Sequence, residues 1–376
     1  MADYTGVLTT LSHALPTGLD ATRLAQWRLR NGRSYEQVRA DIAAALDGVN
    51  SDILSAWGPL VHVTTDDYIE YQDGGGTGDM IDVTDLDRVE AKRGETKGHM
   101  IDLREKGDAI GGTEKFFRDA RESVITASVA GMVQRGRNTL EKAILTRAMN
   151  NTVNAIGSAG YDMPFANASG TVAWTPPAYG GKNFASSHDH FIGYDSGSKN
   201  LGDVLTGLTA TVHEHGHPGP FHAFVSEADV TPIRALNNYV QPTRFAVDRG
   251  GETNGNRAFV SGAVGGLPAV GARSIGWFDS GYGEIELFST NRIPTGFALV
   301  FKSYGVNDPR NPIWVRVHPE VGFGFFMKEI PSFSTTYPVK TIEVRIEYGI
   351  SVGRDRTNGA VAKLVSGGSY GNPTIS

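Results

Sequence analysis

Apolar positions along this chain change their spacing three times, and each change marks a different kind of element. Helical spacing comes first. Asp20 precedes an amphipathic stretch from Ala21 to Leu29, and Ser34 with Gln37 forms a capping box ahead of Val38, Ile42, Ala45, Leu46 and Val49. A third short pattern, Ser51 to Trp57, stops at Gly58 and Pro59. These residues predict small helices on an extended arm. From Leu60 to Asp73 the spacing becomes strand-like, with Val61, Val63, Tyr68, Ile69 and Tyr71 leading out to the glycines at 74–76. Ile81–Lys92 and His99–Arg104 then predict two strands joined as a hairpin through Arg93, Gly94, Glu95 and Thr96.

Helical spacing returns after Thr113 and Glu114. Phe117, Ala120, Val124, Ile125, Val129, Met132, Val133, Leu140, Ile144, Leu145 and Ala148 recur every three or four residues until Asn150 and Asn151. At about 1.5 Å per residue, a helix from Asp119 to Met149 is about 45 Å long. Beyond it, 155–200 has no sustained period and reads as ordered loops. Asn200 and Asp203 open a clean amphipathic helix through Leu201, Val204, Leu205, Leu208 and Val212, ended by Gly216 and Pro218. A strand at Phe221–Ser226 and a short helix at Asp229–Leu236 follow. The remaining predicted strands are Ala258–Val264, Leu267–Val270, Ile285–Ser289, Phe297–Phe301, Ile313–Val317, Lys340–Ile350 and Gly359–Val365. Strands, then a long helix, then mixed elements and strands again predict an α+β class.

Charge changes the reading of the second segment. Between Asp79 and Asp108, 30 residues hold nine acids and six bases, with glycine at both ends. Such a segment cannot bury a core of its own; as a hairpin with charges on both faces it has to pair with something outside itself. The long helix has its own bias. From Lys115 to Arg147 it carries seven bases (Lys115, Arg118, Arg121, Arg135, Arg137, Lys142, Arg147) against three acids, giving one basic face in a chain whose net charge is −6. The molecule as a whole is therefore not a basic polyanion binder, and only such a local face can meet one.

Composition narrows the classes further. With 376 residues and 40% hydrophobic positions the chain is long enough for two or three lobes. Cysteine is absent, which removes disulfide scaffolds, thiolate metal sites and cysteine nucleophiles. Met1–Leu15 has no basic, apolar signal pattern and no stretch reaches the roughly 18 apolar residues of a membrane span, so neither signal-peptide secretion nor a membrane partner is expected.

Candidate chemistry is sparse. His213, His215, His217 and His222 are the obvious metal ligands, for Zn(II) or Fe(II) in a metal-dependent enzyme. However, alternate residues of a helix point about 200° apart, and imidazolium at a helix C-terminus is already favoured, so a structural role is the expectation and no metal is assigned. His188, Asp189 and His190 fall in a loop and read as solvated polarity. Gly262–Gly266 lacks the Lys and Ser or Thr of a phosphate loop. No nucleophile elbow has the required strand and helix around it. No catalytic residue and no cofactor are expected.

The order of helical arm, charged hairpin, long helix, mixed lobe and returning strands resembles the major capsid proteins of tailed bacteriophages, the Hong Kong 97 capsid fold. Gly262–Val270 (GAVGGLPAV), Asn291–Val300 (NRIPTGFALV) and Glu347–Lys363 (EYGISVGRDRTNGAVAK) look like that family's wording. The resemblance implies an N-terminal arm (1–60), an extended loop (61–112) and a peripheral domain with its spine helix (113–199). It also implies an axial domain (200–310), peripheral return strands (311–355) and a tail toward the axial side (356–376). The implied function is self-assembly into pentamers and hexamers of an icosahedral shell around double-stranded DNA, in the virion capsid after assembly in the host cytoplasm. Implied partners are further copies of the chain, a separate scaffolding protein, a portal, a decoration protein and nonspecifically held DNA. On this reading Arg88, Glu90, Lys92, Arg93, Glu95 and Lys97 make intersubunit contacts, and Arg121, Arg135, Arg137, Lys142 and Arg147 face DNA. Some members of that family crosslink this loop through Lys and Asn; Lys92 or Lys97 with an Asn such as Asn358 would be the residues, but nothing at these positions marks a match and no crosslink is expected. The nearest alternative within the fold is an encapsulin-like nanocompartment shell.

Overall fold

The N-terminal helical signal condenses into one element. In the computed structural model, which describes residues 33–73, 95–154, 162–167, 170, 174–241, 272–330 and 339–375, helix α1 runs unbroken over Tyr35–Trp57. The capping box is in place: Ser34 N donates to Gln37 Oε1 at 3.0 Å, and Gln37 N donates to Ser34 Oγ at 3.2 Å. Ser51–Trp57, expected as a separate short helix, is the end of α1: no proline interrupts the run, and Gly48 is accommodated inside it. The stretch 21–29 lies outside the described residues.

In chain order there follow strands β1 (Val61–Thr64), β2 (Tyr68–Asp73), β3 (Glu95–Met100) and β4 (Arg104–Thr113). Next are helices α2 (Glu114–Asp119) and α3 (Glu122–Met149), strand β5 (Phe191–Asp195) and helix α4 (Leu201–His213). Then come β6 (Phe221–Ser226), α5 (Val230–Arg234), β7 (Tyr239–Val240), β8 (Ala272–Asp279), β9 (Glu284–Thr290) and β10 (Phe297–Phe301). Strands β11 (Ile313–Arg316), β12 (Phe325–Ile330), β13 (Val339–Val352) and β14 (Ala360–Val365) close the series. The class is α+β, as the sequence predicts. The strands predicted at 258–264 and 267–270 lie outside the described residues.

Two predictions need correction. The long helix begins at Glu122 rather than Asp119: Thr113 Oγ1 accepts from Phe116 N at 3.3 Å to cap α2, and Ala120 is extended (φ −69°, ψ 141°), which breaks the helix. Its 28 residues then span about 42 Å. The hairpin also differs. β3 pairs antiparallel with β2, from Tyr68↔Met100 to Asp73↔Glu95, so Glu95 and Thr96 are strand rather than turn. The outgoing strand's apolar positions and those at 99–101 are thus the two sides of one ribbon.

The chain divides into two units. The first draws on Met1–Ile53, Arg104–Leu140 and Glu320–Glu347. Here β12 pairs antiparallel with β13, Phe325 opposite Ile346. Asn50 of α1 clamps the start of β12: its Nδ2 donates to Phe325 O at 2.9 Å, and Phe325 N donates to its Oδ1 at 2.6 Å. Arg345 on β13 reaches Glu105 of β4 and its neighbour Glu343, each at 2.6 Å.

The second unit, Leu54–Leu103, Glu141–Pro319 and Tyr348–Ser376, carries the larger core. Its main sheet has the order β5-β14-β10-β6-β9-β8-β7, with β5 parallel to β14 and β6 parallel to β9. Helix α4 lays Leu201, Val204, Leu205, Leu208 and Val212 onto β6, β9, β10 and β14, all of these helix residues buried. That stripe is the i, i+3, i+4, i+7 set read from sequence. Asn200 Oδ1 accepts from Asp203 N at 3.0 Å while Asp203 Oδ2 accepts from Asn200 N at 2.9 Å, completing the predicted cap. Asn200→Ala is expected to cost about 1 kcal/mol, read as a shift in the urea midpoint. A further strand, β1, runs parallel to β11, and β11 pairs antiparallel with residues 349–352 of β13.

Candidate functional site

Three groups of residues carried functional expectations, and the structure treats them differently. The first is the charged arm. Its base is β2 and β3, which among the described residues pair only with each other. The base is anchored: Ile69 and Ile101 are buried with Trp314, Ile101 N donates to Asp67 O at 2.9 Å, and Arg316 Nη1 donates to Ile101 O at 2.6 Å. His99, also buried, meets Ser351 Oγ at 2.7 Å. Tyr68 and Met100 face outward, each nearly half exposed. Of the expected intersubunit residues, Arg88, Glu90, Lys92 and Arg93 lie outside the described residues, and Glu95 and Lys97 are placed on β3 by their backbone.

The second group is the basic helix. Arg121, Arg135 and Lys142 are exposed and Arg137 is half-buried. Arg135 Nε donates to Asp108 Oδ2 at 2.7 Å. Arg147 is a correction: it is fully buried and cannot face DNA. Its Nη1 donates to Thr152 O at 3.0 Å and Asp162 O at 3.2 Å, its Nη2 to Asn150 O at 2.6 Å, and Asp162 Oδ2 lies 3.4 Å away. A helix end leaves its last carbonyls without intrahelical donors, and this guanidinium in the last turn of α3 supplies donors to the chain just beyond. Burial pushes it down to about 10, against the opposing pull of Asp162. Asn358, the candidate for a crosslink, is likewise buried: Lys302 N donates to its Oδ1, and its Nδ2 donates to Lys302 O and Arg310 O at 2.9 and 2.8 Å. An amide so engaged is not presented to a lysine.

The third group is the histidines, and here the tertiary structure regroups them. Helix α4 ends at His213, whose ring lies 5.7 Å from that of Tyr282. Gly216, at φ +89°, turns the chain back. His217 spends both nitrogens, Nδ1 on Tyr304 Oη at 2.9 Å and Nε2 on Thr357 Oγ1 at 3.1 Å. His222 sits on β6, its ring stacked on those of Phe288 and Phe301, with Glu286 Oε2 3.8 Å from Nε2. The four do not converge. His215 instead meets the two histidines of the preceding loop, with His188 Nε2 at 2.9 Å and His190 Nε2 at 3.1 Å from its Nε2.

These three nitrogens lie within 4.8 Å of one another. The reading of His188–His190 as solvated loop is thereby corrected. A turn closed by His188 N on Ala185 O at 3.0 Å and a bend at His190 lead into β5, and they bring the 188 and 190 rings to a centroid separation of 5.2 Å. Backbone bonds hold it there: His190 N donates to Ala166 O at 2.9 Å and Val361 N to His190 O at 2.7 Å. His190 is wholly buried, and Nδ1 lies 2.7 Å from Gly359 O. A carbonyl only accepts, so Nδ1 carries the proton and Nε2 presents its lone pair to the cluster. Phe184 covers it, with ring centroids 4.1 Å from His215 and 4.8 Å from His188. Glu214 Oε1 lies 3.3 Å from His188 Nε2, and Lys182 bonds the same carboxylate. Burial, and after it the neighbouring histidines, push His215 down to about 2; burial pushes His190 down to about 3. All three rings are neutral at neutral pH.

No protein-family model matches the chain, and no curated protein sequence does. Among solved structures, a chain of Mycobacterium phage Patience matches with a TM-score of 0.60 at 20% identity, covering 91% of each chain. A capsid chain of a native GTA particle matches with a TM-score of 0.47 at 11% identity, over 83% of this chain and 91% of that one. Mycobacterium phage Bobi matches with a TM-score of 0.44 at 13% identity, over 84% and 90%. With a paired ribbon, a 28-residue helix and a mixed sheet in the expected order, this chain has the tailed-phage capsid fold, the Hong Kong 97 type.

Proposed function

We propose that the chain is a capsid shell subunit whose activity is self-association. The observation that carries this is the fold shared with the Mycobacterium phage Patience chain over 91% of both lengths. Physical reasons support it. A two-stranded ribbon with unpaired edges is a liability in a monomer and is satisfied by a neighbour. Its alternating charges select partner and register more than they add affinity. The finer reading assigns 1–60 to an N-terminal arm, 61–112 to an extended loop over the adjacent subunit, and 113–199 with 311–355 to a peripheral domain. Residues 200–310, with the tail 356–376, form the axial domain around fivefold and sixfold centres. Pentamers and hexamers then close an icosahedral shell around double-stranded DNA, with exposed bases such as Lys142 meeting phosphates nonspecifically. Scaffolding, portal and decoration proteins complete the set of partners, and the site of action is the virion capsid.

The test is negative-stain electron microscopy with light scattering on the purified full chain. Closed uniform shells or rings are expected; a monodisperse monomer at all concentrations would reject unaided assembly. The second arm of the test removes residues 75–93. The cut must stop short of β3, because removing His99 and Ile101 would strip buried anchors from the subunit itself. A folded subunit with cooperative unfolding and no shells is expected, and normal shells from this deletion would reject the role of the arm.

A further inference from the structure

We propose that His188, His190 and His215 form a transition-metal site, coordinating a divalent ion of the zinc type through their three Nε2 atoms, with Glu214 or water in the fourth position. The site is assembled within the second unit from the segment entering β5 and the turn after α4, and it is independent of the capsid reading.

The geometry points to an ion. Tetrahedral zinc with bonds of ~2.0–2.1 Å places its nitrogen ligands ~3.3 Å apart. The Nε2 separations of 2.9 and 3.1 Å lie within half an ångström of that arrangement, and with all three atoms within 4.8 Å the third separation closes to it by a shift of at most about 1.5 Å. The hydrogen bond from His190 Nδ1 to Gly359 O fixes the tautomer and aims Nε2 inward, as the outer partner of a metal-bound imidazole does. Glycine at 359 also lets the backbone approach, since a Cβ there would lie 2.4 Å from the Phe165 ring.

Proton counting adds a second argument. His190 Nε2 has no hydrogen to give, and His215 Nε2 faces two partners with at most one. Without a cation, the cluster needs one proton on His215 directed at His190 and another on His188 directed at Glu214 Oε1. With one, each lone pair has a partner, and the ion's charge is met by a carboxylate already alongside. Three imidazoles select zinc, cobalt or nickel over magnesium or calcium, which prefer oxygen. His215 also lines an open cleft of about 390 Å³ together with Tyr179, Arg310 and Asp355, which gives an ion access. The bound ion would pin the loop at 182–190 to the end of α4.

The test uses the full chain, stripped with EDTA and dialysed, then titrated with zinc chloride by calorimetry and with cobalt chloride by visible absorption. One equivalent of zinc, an intense tetrahedral cobalt spectrum displaced by zinc, and a zinc-dependent rise in Tm are expected. His188→Ala, chosen because this ring is partly exposed and makes no buried backbone bond through its side chain, should weaken binding by at least about tenfold and abolish the Tm rise. His213→Ala should leave both unchanged. Less than a tenth of an equivalent bound by the wild-type chain, or equal binding by His188→Ala, would overturn the proposal and leave a hydrogen-bonded trio of neutral imidazoles.

Discussion

Arg147→Ala is expected to destabilise the subunit by about 3–5 kcal/mol, because it removes a buried cation that pairs with a buried carboxylate and donates to three backbone carbonyls at once. Arg147 and Asp162 are essentially without solvent contact. Truncation takes the paired cation away from the buried Asp162 carboxylate, and the carbonyls of Asn150 and Thr152 lose this donor, while Asp162 O keeps the bond from Asn154 N at 3.2 Å. Lys142→Ala, five residues earlier and exposed, should stay within about 0.5 kcal/mol. The pair is read from urea midpoints and from soluble yield. Equal behaviour of the two variants would mean that Arg147 is not the buried keystone of this helix end, and would return it to the DNA-facing set.

Acidification is expected to destabilise the fold, with onset near pH 6.5. Burial pushes His99 down to about 3, with Arg356 and Arg147 acting the same way, and pushes His222 down to about 4, with Lys302 adding to the effect. The sign follows from the unfolded chain, where an ordinary histidine takes up a proton near pH 6.5 while the folded one does not. The stability these rings confer is therefore complete above that pH and is lost as pH falls through it toward 4 and 3. At pH 5.5 each ring contributes a loss of ~1.4 kcal/mol relative to pH 7.5, roughly 3 kcal/mol for the two. Glu286 beside His222, and Asp229, are pushed up by burial and act in the opposite direction. Urea midpoints at pH 7.5 and 5.5 measure the loss. His222→Phe, a ring that fits the stack between Phe288 and Phe301, should reduce it by ~1.4 kcal/mol. A variant with the wild-type pH dependence would show that His222 titrates normally in the fold.

Much of the architecture was legible because it rests on local rules. The caps at Ser34/Gln37 and Asn200/Asp203 and the stripe of α4 needed only spacing and side-chain chemistry. Strand β10 matches its predicted bounds because Phe297–Phe301 is a short apolar run between turn residues. Strands β5, β8 and β12 were missed. Their residues, such as Ala272–Asp279 with Gly276 at φ +144° and a bulge beside it, carry no clean alternation, and β5 in addition pairs with β14, far away in the chain.

The histidines show the same division more sharply. Alternate spacing on a regular element explains neither pair: at 213 and 215 the chain is leaving a helix, while 188 and 190 sit in the turn and bend just before β5. The signal that would have found the trio is His-x-His immediately before an apolar run, here Phe191 and Ile192, although nothing local marks His215 as the third member.

The sequence by itself determined the class, the caps, the stripe of α4 and the long helix, because each follows from periodicity and side-chain chemistry within a few residues. Only the tertiary structure decided that Arg147 is interior, that β2 pairs with β3, and that His188, His190 and His215 share one point. Burial and convergence are properties of segments brought together over 25 to 250 residues, and a local pattern holds no information about which distant backbone will lie across from it.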